Sequence, residues 1–371
     1  MKKILIAAAA LFCLTQSIFA FDWGGIVFNT TKPSTSDFSA LSFYQSNGIS
    51  LWAANSFNKN LRLTAEGLYK YEFTKAGEAD SFTNIVDLSL LKLSGNWTLG
   101  TGSLSLNAGR FAYSDLASVA FSQTSDGLAL AYQTNSIKVS AYAGYTGLLN
   151  SLNVYMTDTN PDANEQAYSL CPGYIPLIAD FSLINLARTN ISLQAEYFIA
   201  GADYLKNMFY ADFAVNGAIG TIAGYTVSAV LGSEDFENWM LYGKGNLSFY
   251  IGENLIAFAG AEYYSGKNGV LIPFKAISKK TITNSPYAGG LILPQCSLLF
   301  VYNNMVVSLG EKIVVTMPED EGKVSGSDTT LNLVYNVLSD LQLGCSVVAY
   351  YDFNETSSSN YALSLNVSMA F

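Results

Sequence analysis

Histidine is missing from this chain, which removes the commonest general base and a common zinc ligand. Cysteine is scarce, with 4 residues, and Cys13, Cys171, Cys296 and Cys345 have no metal-site spacing. Neither a glycine-rich phosphate loop nor a dinucleotide fingerprint occurs. Carboxylates such as Glu66 and Glu72 have the chemistry for proton transfer, yet spread along one strand face they read as wall charges. No enzyme activity, cofactor or metal is expected.

Positive charge is also short: 19 Lys and Arg stand against 29 Asp and Glu, a net charge of −10. Without a basic face to neutralise phosphates, nucleic acid is excluded as a partner. Long hydrophobic runs are nearly absent. Residues 213–233 carry no charge and match the roughly 20 residues that a membrane helix needs. However, Gly217, Gly220 and Gly224 with Asn216, Thr226 and Ser228 make a poor helix. Thr221, Ala223, Tyr225, Val227, Ala229 and Leu231 alternate with small or polar partners, which predicts two strands joined near residues 217–220.

The chain opens with Lys2 and Lys3, then an apolar stretch from Ile4 to Leu14, then small and polar residues up to Ala20. This is the form of a secretory signal cleaved after Ala20. Residues 1–20 are therefore expected to be the signal peptide and 21–371 the mature domain, with 17 basic residues (19 less Lys2 and Lys3) against 29 acidic. Half of the residues are apolar, only 13% are charged, and Tyr (24) and Phe (22) are abundant. These apolar residues are spread evenly over alternating segments, so their sink is lipid rather than a thick core.

The alternation is clearest over Leu61 to Phe73. Leu61, Leu63, Ala65, Gly67, Tyr69, Tyr71 and Phe73 face one way, and Arg62, Thr64, Glu66, Lys70 and Glu72 the other. Eighteen strands are expected, at 22–30, 48–57, 60–73, 82–94, 103–113, 126–134, 136–146, 178–188, 190–200, 206–217, 220–231, 239–251, 254–265, 290–302, 305–316, 328–338, 341–353 and 359–371. Sixteen is the next count. The connections after even-numbered strands are almost all tight turns. Those after odd-numbered strands include every long loop, among them 31–47, 147–177 and 266–289. Short turns on one side and long loops on the other are the plan of an outer-membrane barrel.

The last strand alternates to the final residue, with Tyr361, Leu363, Leu365, Val367, Met369 and Phe371 on one face. Here the chain resembles a bacterial outer-membrane β-barrel of the porin type, over residues 21–371. The resemblance implies an all-β, transmembrane, antiparallel up-and-down barrel in the outer membrane of a double-membraned bacterium; the first expected strand begins almost at once after Ala20, so no plug domain is expected. The resemblance also implies that the terminal strand is the signal read by the barrel-assembly machinery, with Phe371 closing the sheet near Trp23 and Phe28. Outer-membrane lipid and small hydrophilic solutes are the implied partners, and a homotrimer is possible. Barrel lipases and proteases depend on histidine, so the chain departs from both. The constriction-loop motif of general porins is not visible, although 147–177 or 266–289 could fold inward.

Trp23, Phe57, Tyr71, Phe73, Phe111, Tyr113, Tyr145, Trp239, Tyr263, Tyr351, Phe353 and Phe371 fall near expected membrane boundaries, as girdle aromatics do. The pore-lining candidates are Arg62, Glu66, Lys70, Lys138, Gln194, Glu196, Lys244, Asn246 and Glu262, polar residues opposite apolar ones. A barrel of 16 or 18 strands is wide enough for an aqueous channel, so passive diffusion of small hydrophilic solutes is the expected function. A closed barrel acting as an adhesin or antigen is the rival, with inward Phe198, Tyr242, Tyr250 and Phe258 filling the lumen. A transporter of hydrophobic compounds is the third reading. Cys171 and Cys296, placed in or beside long connections, are expected to be unpaired, with a disulfide between them as the alternative; Cys345 lies on an apolar face.

Overall fold

A computed structural model describes residues 21–36, 40–77, 79–146, 173–267, 270–278, 290–317, 322–354 and 359–371. The expected signal peptide and Cys171 lie outside these residues.

Eighteen strands form one closed sheet. They are β1 (Phe21–Ser36), β2 (Ala40–Ser56), β3 (Leu61–Ala76), β4 (Ala79–Leu99), β5 (Gly102–Ser114), β6 (Ser122–Gln133), β7 (Ile137–Tyr145), β8 (Tyr174–Leu186) and β9 (Thr189–Ala200). The second half comprises β10 (Met208–Ile219), β11 (Ala223–Glu234), β12 (Asn238–Ile251), β13 (Leu255–Tyr264), β14 (Leu291–Tyr302), β15 (Met305–Thr316), β16 (Lys323–Asn336), β17 (Leu341–Asp352) and β18 (Asn360–Ala370). Each strand pairs antiparallel with its sequence neighbours, and β1 closes on β18 through Ile26 opposite Ala370. Closure leaves no edge with unpaired backbone groups, which is the condition for strands to cross a bilayer.

Register carries the alternation from strand to strand. Leu51 lies opposite Gly67, and Ile49 opposite Tyr69, so one parity presents apolar side chains outward all round. Leu128, Leu193, Val227, Leu309, Val347 and Met369 are among the large apolar residues exposed there. For a soluble protein such a belt would be an aggregation surface; against lipid it is the stable arrangement.

One end of the barrel carries tight turns built from local chemistry. Asn58 Oδ1 accepts from the Asn60 and Leu61 amides at 2.8 and 3.0 Å, an Asx turn. Gly100, Gly220 and Gly252 take positive φ in three others, a conformation costly to any residue with a Cβ.

The other end departs from expectation on one flank. The stretch 31–47, read as a long loop, is mostly a continuation of β1 and β2, with Thr31 opposite Gln45 and Ser34 opposite Ser42. Its Ser and Thr residues break the apolar pattern without breaking strand propensity. In consequence β1 to β4 run for 16, 17, 16 and 21 residues, whereas β7 has 9 and β13 has 10.

A candidate constriction and the polar walls of the lumen

The inner face is not uniformly polar. Along β7 to β14 it carries Tyr142, Ile178, Phe198, Tyr210, Val230, Tyr242, Tyr264 and Leu293, all buried. Two loops cover them. The first, residues 115–121 between β5 and β6, buries Val119, Ala120 and Phe121. Its fold is set by Asp115, whose carboxylate accepts from the amides of Val119 (3.0 Å), Ala120 (2.7 Å) and Phe121 (2.7 Å). Burial pushes the Asp115 carboxyl above its ordinary pKa, against the downward pull of these amides.

The second is residues 270–278, after β13. Phe274 packs its ring against Tyr210, Tyr242 and Tyr264 at 6.3, 5.9 and 5.9 Å between centroids. The Tyr210 hydroxyl donates to the Lys275 carbonyl oxygen (2.9 Å), and Lys275 Nζ meets Glu234 Oε1 at 2.5 Å. The loops then join. The Ile277 amide donates to the Ala120 carbonyl oxygen at 2.7 Å, and Ser278 Oγ accepts from the Ser122 amide at 2.9 Å. Strands β6 and β13 are seven places apart around the sheet. The bridge therefore crosses the interior as a chord, with a packed apolar sector behind it.

Two cavities of about 530 and 550 Å³ open on the polar parts of the wall. The first faces β12 to β16. Lys244 Nζ stands 3.3 Å from Glu262 Oε1, Gln295 Nε2 donates to the same oxygen at 3.2 Å and to Asn246 Oδ1 at 3.4 Å, and Tyr264 donates to Glu262 Oε2 at 2.8 Å. Register continues the row through Lys312, opposite Gln295, to Asp328. The result is a band of alternating sign. The second cavity faces β4 to β9, where Lys138 Nζ lies 4.0 Å from Asp180 Oδ1 and Ser140 donates to Asp180 Oδ2.

The nine pore-lining candidates separate on this geometry. Lys244, Asn246 and Glu262 line the first cavity, and Lys138 and Gln194 the second. Arg62 pairs with Asp22 at 3.6 Å near the tight-turn end, Glu66 accepts from Ser50 (2.8 Å) and Ser89 (3.0 Å), and Lys70 pairs with Glu72 at 2.9 Å. Glu196 is different: it is 1% exposed, sealed beside the loop that Asp115 opens. Gln194 is tied to the same loop, accepting from the Leu116 amide at 2.8 Å.

Two other expectations are corrected. Phe111 and Tyr113 are not girdle residues; they turn inward onto Tyr142, which Tyr113 stacks at 4.1 Å. They share the inward parity of Ser105 and Asn107, and their pairing with β6 runs without a register shift, Phe111 opposite Ser125 and Tyr113 opposite Gln123. Cys296 lies within β14, inside the expected strand 290–302, free and exposed on the outward face. Of the proposed lumen-filling aromatics, Phe198 and Tyr242 are buried and Phe258 lines the first cavity, but Tyr250 is 49% exposed. Cys345 keeps its expected face, opposite Leu333 and Leu365.

No family model and no curated relative matches the chain. Solved structures do. OccK5 (OpdH) of Pseudomonas aeruginosa is 12% identical, with a TM-score of 0.65 over 94% of this chain and 98% of that chain. The outer membrane protein OpdK of the same organism is 12% identical, with a TM-score of 0.63 over 94% and 98%. OccK2 (OpdF) of P. aeruginosa, solved in complex with glucuronate, is 13% identical, with a TM-score of 0.63 over 95% and 98%. The chain is an all-β, 18-stranded transmembrane barrel with the fold of these three proteins.

Proposed function

We propose that this barrel is an outer-membrane channel through which small hydrophilic solutes diffuse passively, rather than an enzyme. The carrying observation is the alternating row Lys244, Glu262, Gln295 and Lys312, which faces a cavity of about 530 Å³. Wall charges of both signs, paired with each other, hold water and hydrogen-bond polar solutes without trapping either ion. OccK2 was solved with glucuronate and OpdK with vanillate. With Lys244 and Lys312 on the wall, that supports small carboxylate-bearing solutes as the first class to try. The packed sector behind residues 270–278 favours the closed-barrel rival, but it covers only part of the wall.

The terminal face from Tyr361 to Phe371 is read as the assembly signal. A homotrimer draws support from Glu311. This carboxylate lies on the outward parity beside Leu309 and is held by the Thr329 hydroxyl at 2.5 Å. A carboxylate facing lipid is costly, which favours a protein neighbour there.

The test is single-channel conductance of the refolded mature protein in a planar bilayer, with liposome swelling for uncharged sugars and small organic acids. Stable, repeated steps and solute entry establish the channel. Silence from protein shown to be folded and inserted moves the assignment to the closed barrel.

A further inference from the structure

Three carboxylates meet where the first loop touches the wall. Asp115 belongs to the loop, Glu196 to β9 and Asp212 to β10, and one oxygen from each lies within 4.8 Å of the others. They are 4%, 1% and 3% exposed. Register makes the pair from the wall: Glu196 is opposite Tyr210 and Asp212 opposite Gln194, so the two are diagonal neighbours on the inner face.

Glu196 gives the cluster its meaning. Neither of its oxygens has a hydrogen-bond partner among the described residues, and the same holds for Asp212, which the Ala117 amide faces without completing a bond. No Lys or Arg among the described residues pairs with any of the three. Asp115 is otherwise engaged, turning its carboxylate to three amides of its own loop. Buried carboxylates without hydrogen bonds or counter-charge are among the most expensive arrangements in a protein, and here they cluster beside Phe121, Phe198 and Tyr210, all 0% exposed.

The donor set is oxygen only, in a chain without histidine, which selects a hard cation over zinc or copper. Calcium holds oxygens at about 2.3–2.6 Å, so ligands on opposite sides of one ion stand about 4.6–5.2 Å apart. The oxygens of Asp115, Glu196 and Asp212, all within 4.8 Å of one another, stand no farther apart than one such ion can bridge. We propose that Asp115, Glu196 and Asp212 bind one divalent cation of the calcium type, which fastens the inward loop 115–121 to β9 and β10. Asp115 shapes the loop through its amides, and the ion secures the shaped loop to the wall. The site is independent of whether the lumen conducts.

The test uses the full mature chain, refolded in detergent, stripped with EDTA and dialysed. Calcium is titrated calorimetrically, and terbium emission is excited through tyrosine. One calcium per chain is expected, with a Kd of about 10⁻⁵–10⁻³ M, and calcium should quench the terbium signal by displacement from beside Tyr210. Glu196→Gln and Asp212→Asn should each weaken binding at least about tenfold, whereas Glu237→Gln, on an exposed loop, should bind as the unaltered chain does. Heat-dependent gel mobility establishes that each variant is folded. Uptake below one ion by the unaltered chain, or uptake that survives both substitutions, overturns the proposal. If neither variant folds, the stoichiometry and terbium displacement of the unaltered chain decide it alone.

Discussion

Phe371 and Gly25 exchange two backbone hydrogen bonds, each 3.0 Å long. The last residue thereby completes the β1–β18 seam instead of trailing from it. Space around Gly25 is full: a Cβ there would stand 2.5 Å from Phe371 Cζ and 2.9 Å from the Ser50 carbonyl oxygen. The ring can move but the backbone oxygen is fixed in the sheet. Gly25→Ala is expected to lower barrel stability by about 1–3 kcal/mol. Gly243→Ala, with nothing within 4 Å of its Cβ, should change it little. Urea unfolding followed by tryptophan fluorescence compares the two.

Phe371 also tests the assembly reading. Phe371→Ser should reduce the folded, heat-modifiable protein in cell envelopes several-fold while leaving refolding in detergent nearly intact. Equal losses in both settings would mean that the residue acts through the seam alone.

The Lys244 and Glu262 pair sets a prediction about ions. Glu262→Gln leaves Lys244 and Lys312 without their shared carboxylate, so selectivity should move toward anions; Lys244→Gln should move it toward cations. One wall charge under water-like screening is worth about 0.5–1 kcal/mol, or roughly a twofold to fivefold change in permeability ratio. Reversal potentials in a salt gradient measure it, and shifts of the same sign in both variants would refute the role given to the row.

Phe274 holds the second loop against three tyrosines. Phe274→Ala should cost about 2–3 kcal/mol locally, release residues 270–278 from the wall and raise single-channel conductance or its open-state noise. An unchanged trace would show that this segment does not border the conducting path.

The alternation made the barrel legible before any coordinates. A strand with one apolar face betrays itself every second residue, and the spacing of turns gave the count of eighteen. The interior was harder to read. Phe111 and Tyr113 alternate like girdle residues, because period tells which residues share a face and not which face points to lipid. Glu196 and Lys244 both appear as polar residues amid apolar ones, yet one is sealed and the other lines a cavity. Only register across β9 and β10, and a loop folding back from β5, separates them. Asp115 carried no signal at all, since its partners Glu196 and Asp212 are 81 and 97 positions away in the sequence.

The unequal strands have a consequence of shape. About 9–11 residues suffice to cross the apolar band, and β4 with 21 exceeds that by about 10, an excess divided between its two ends because Asn96–Leu99 run past the start of β3 at the tight-turn end. β13, with 10, stops near the band itself. Among the described residues the strand ends therefore stand unevenly, with a parapet of paired strand over β1 to β4.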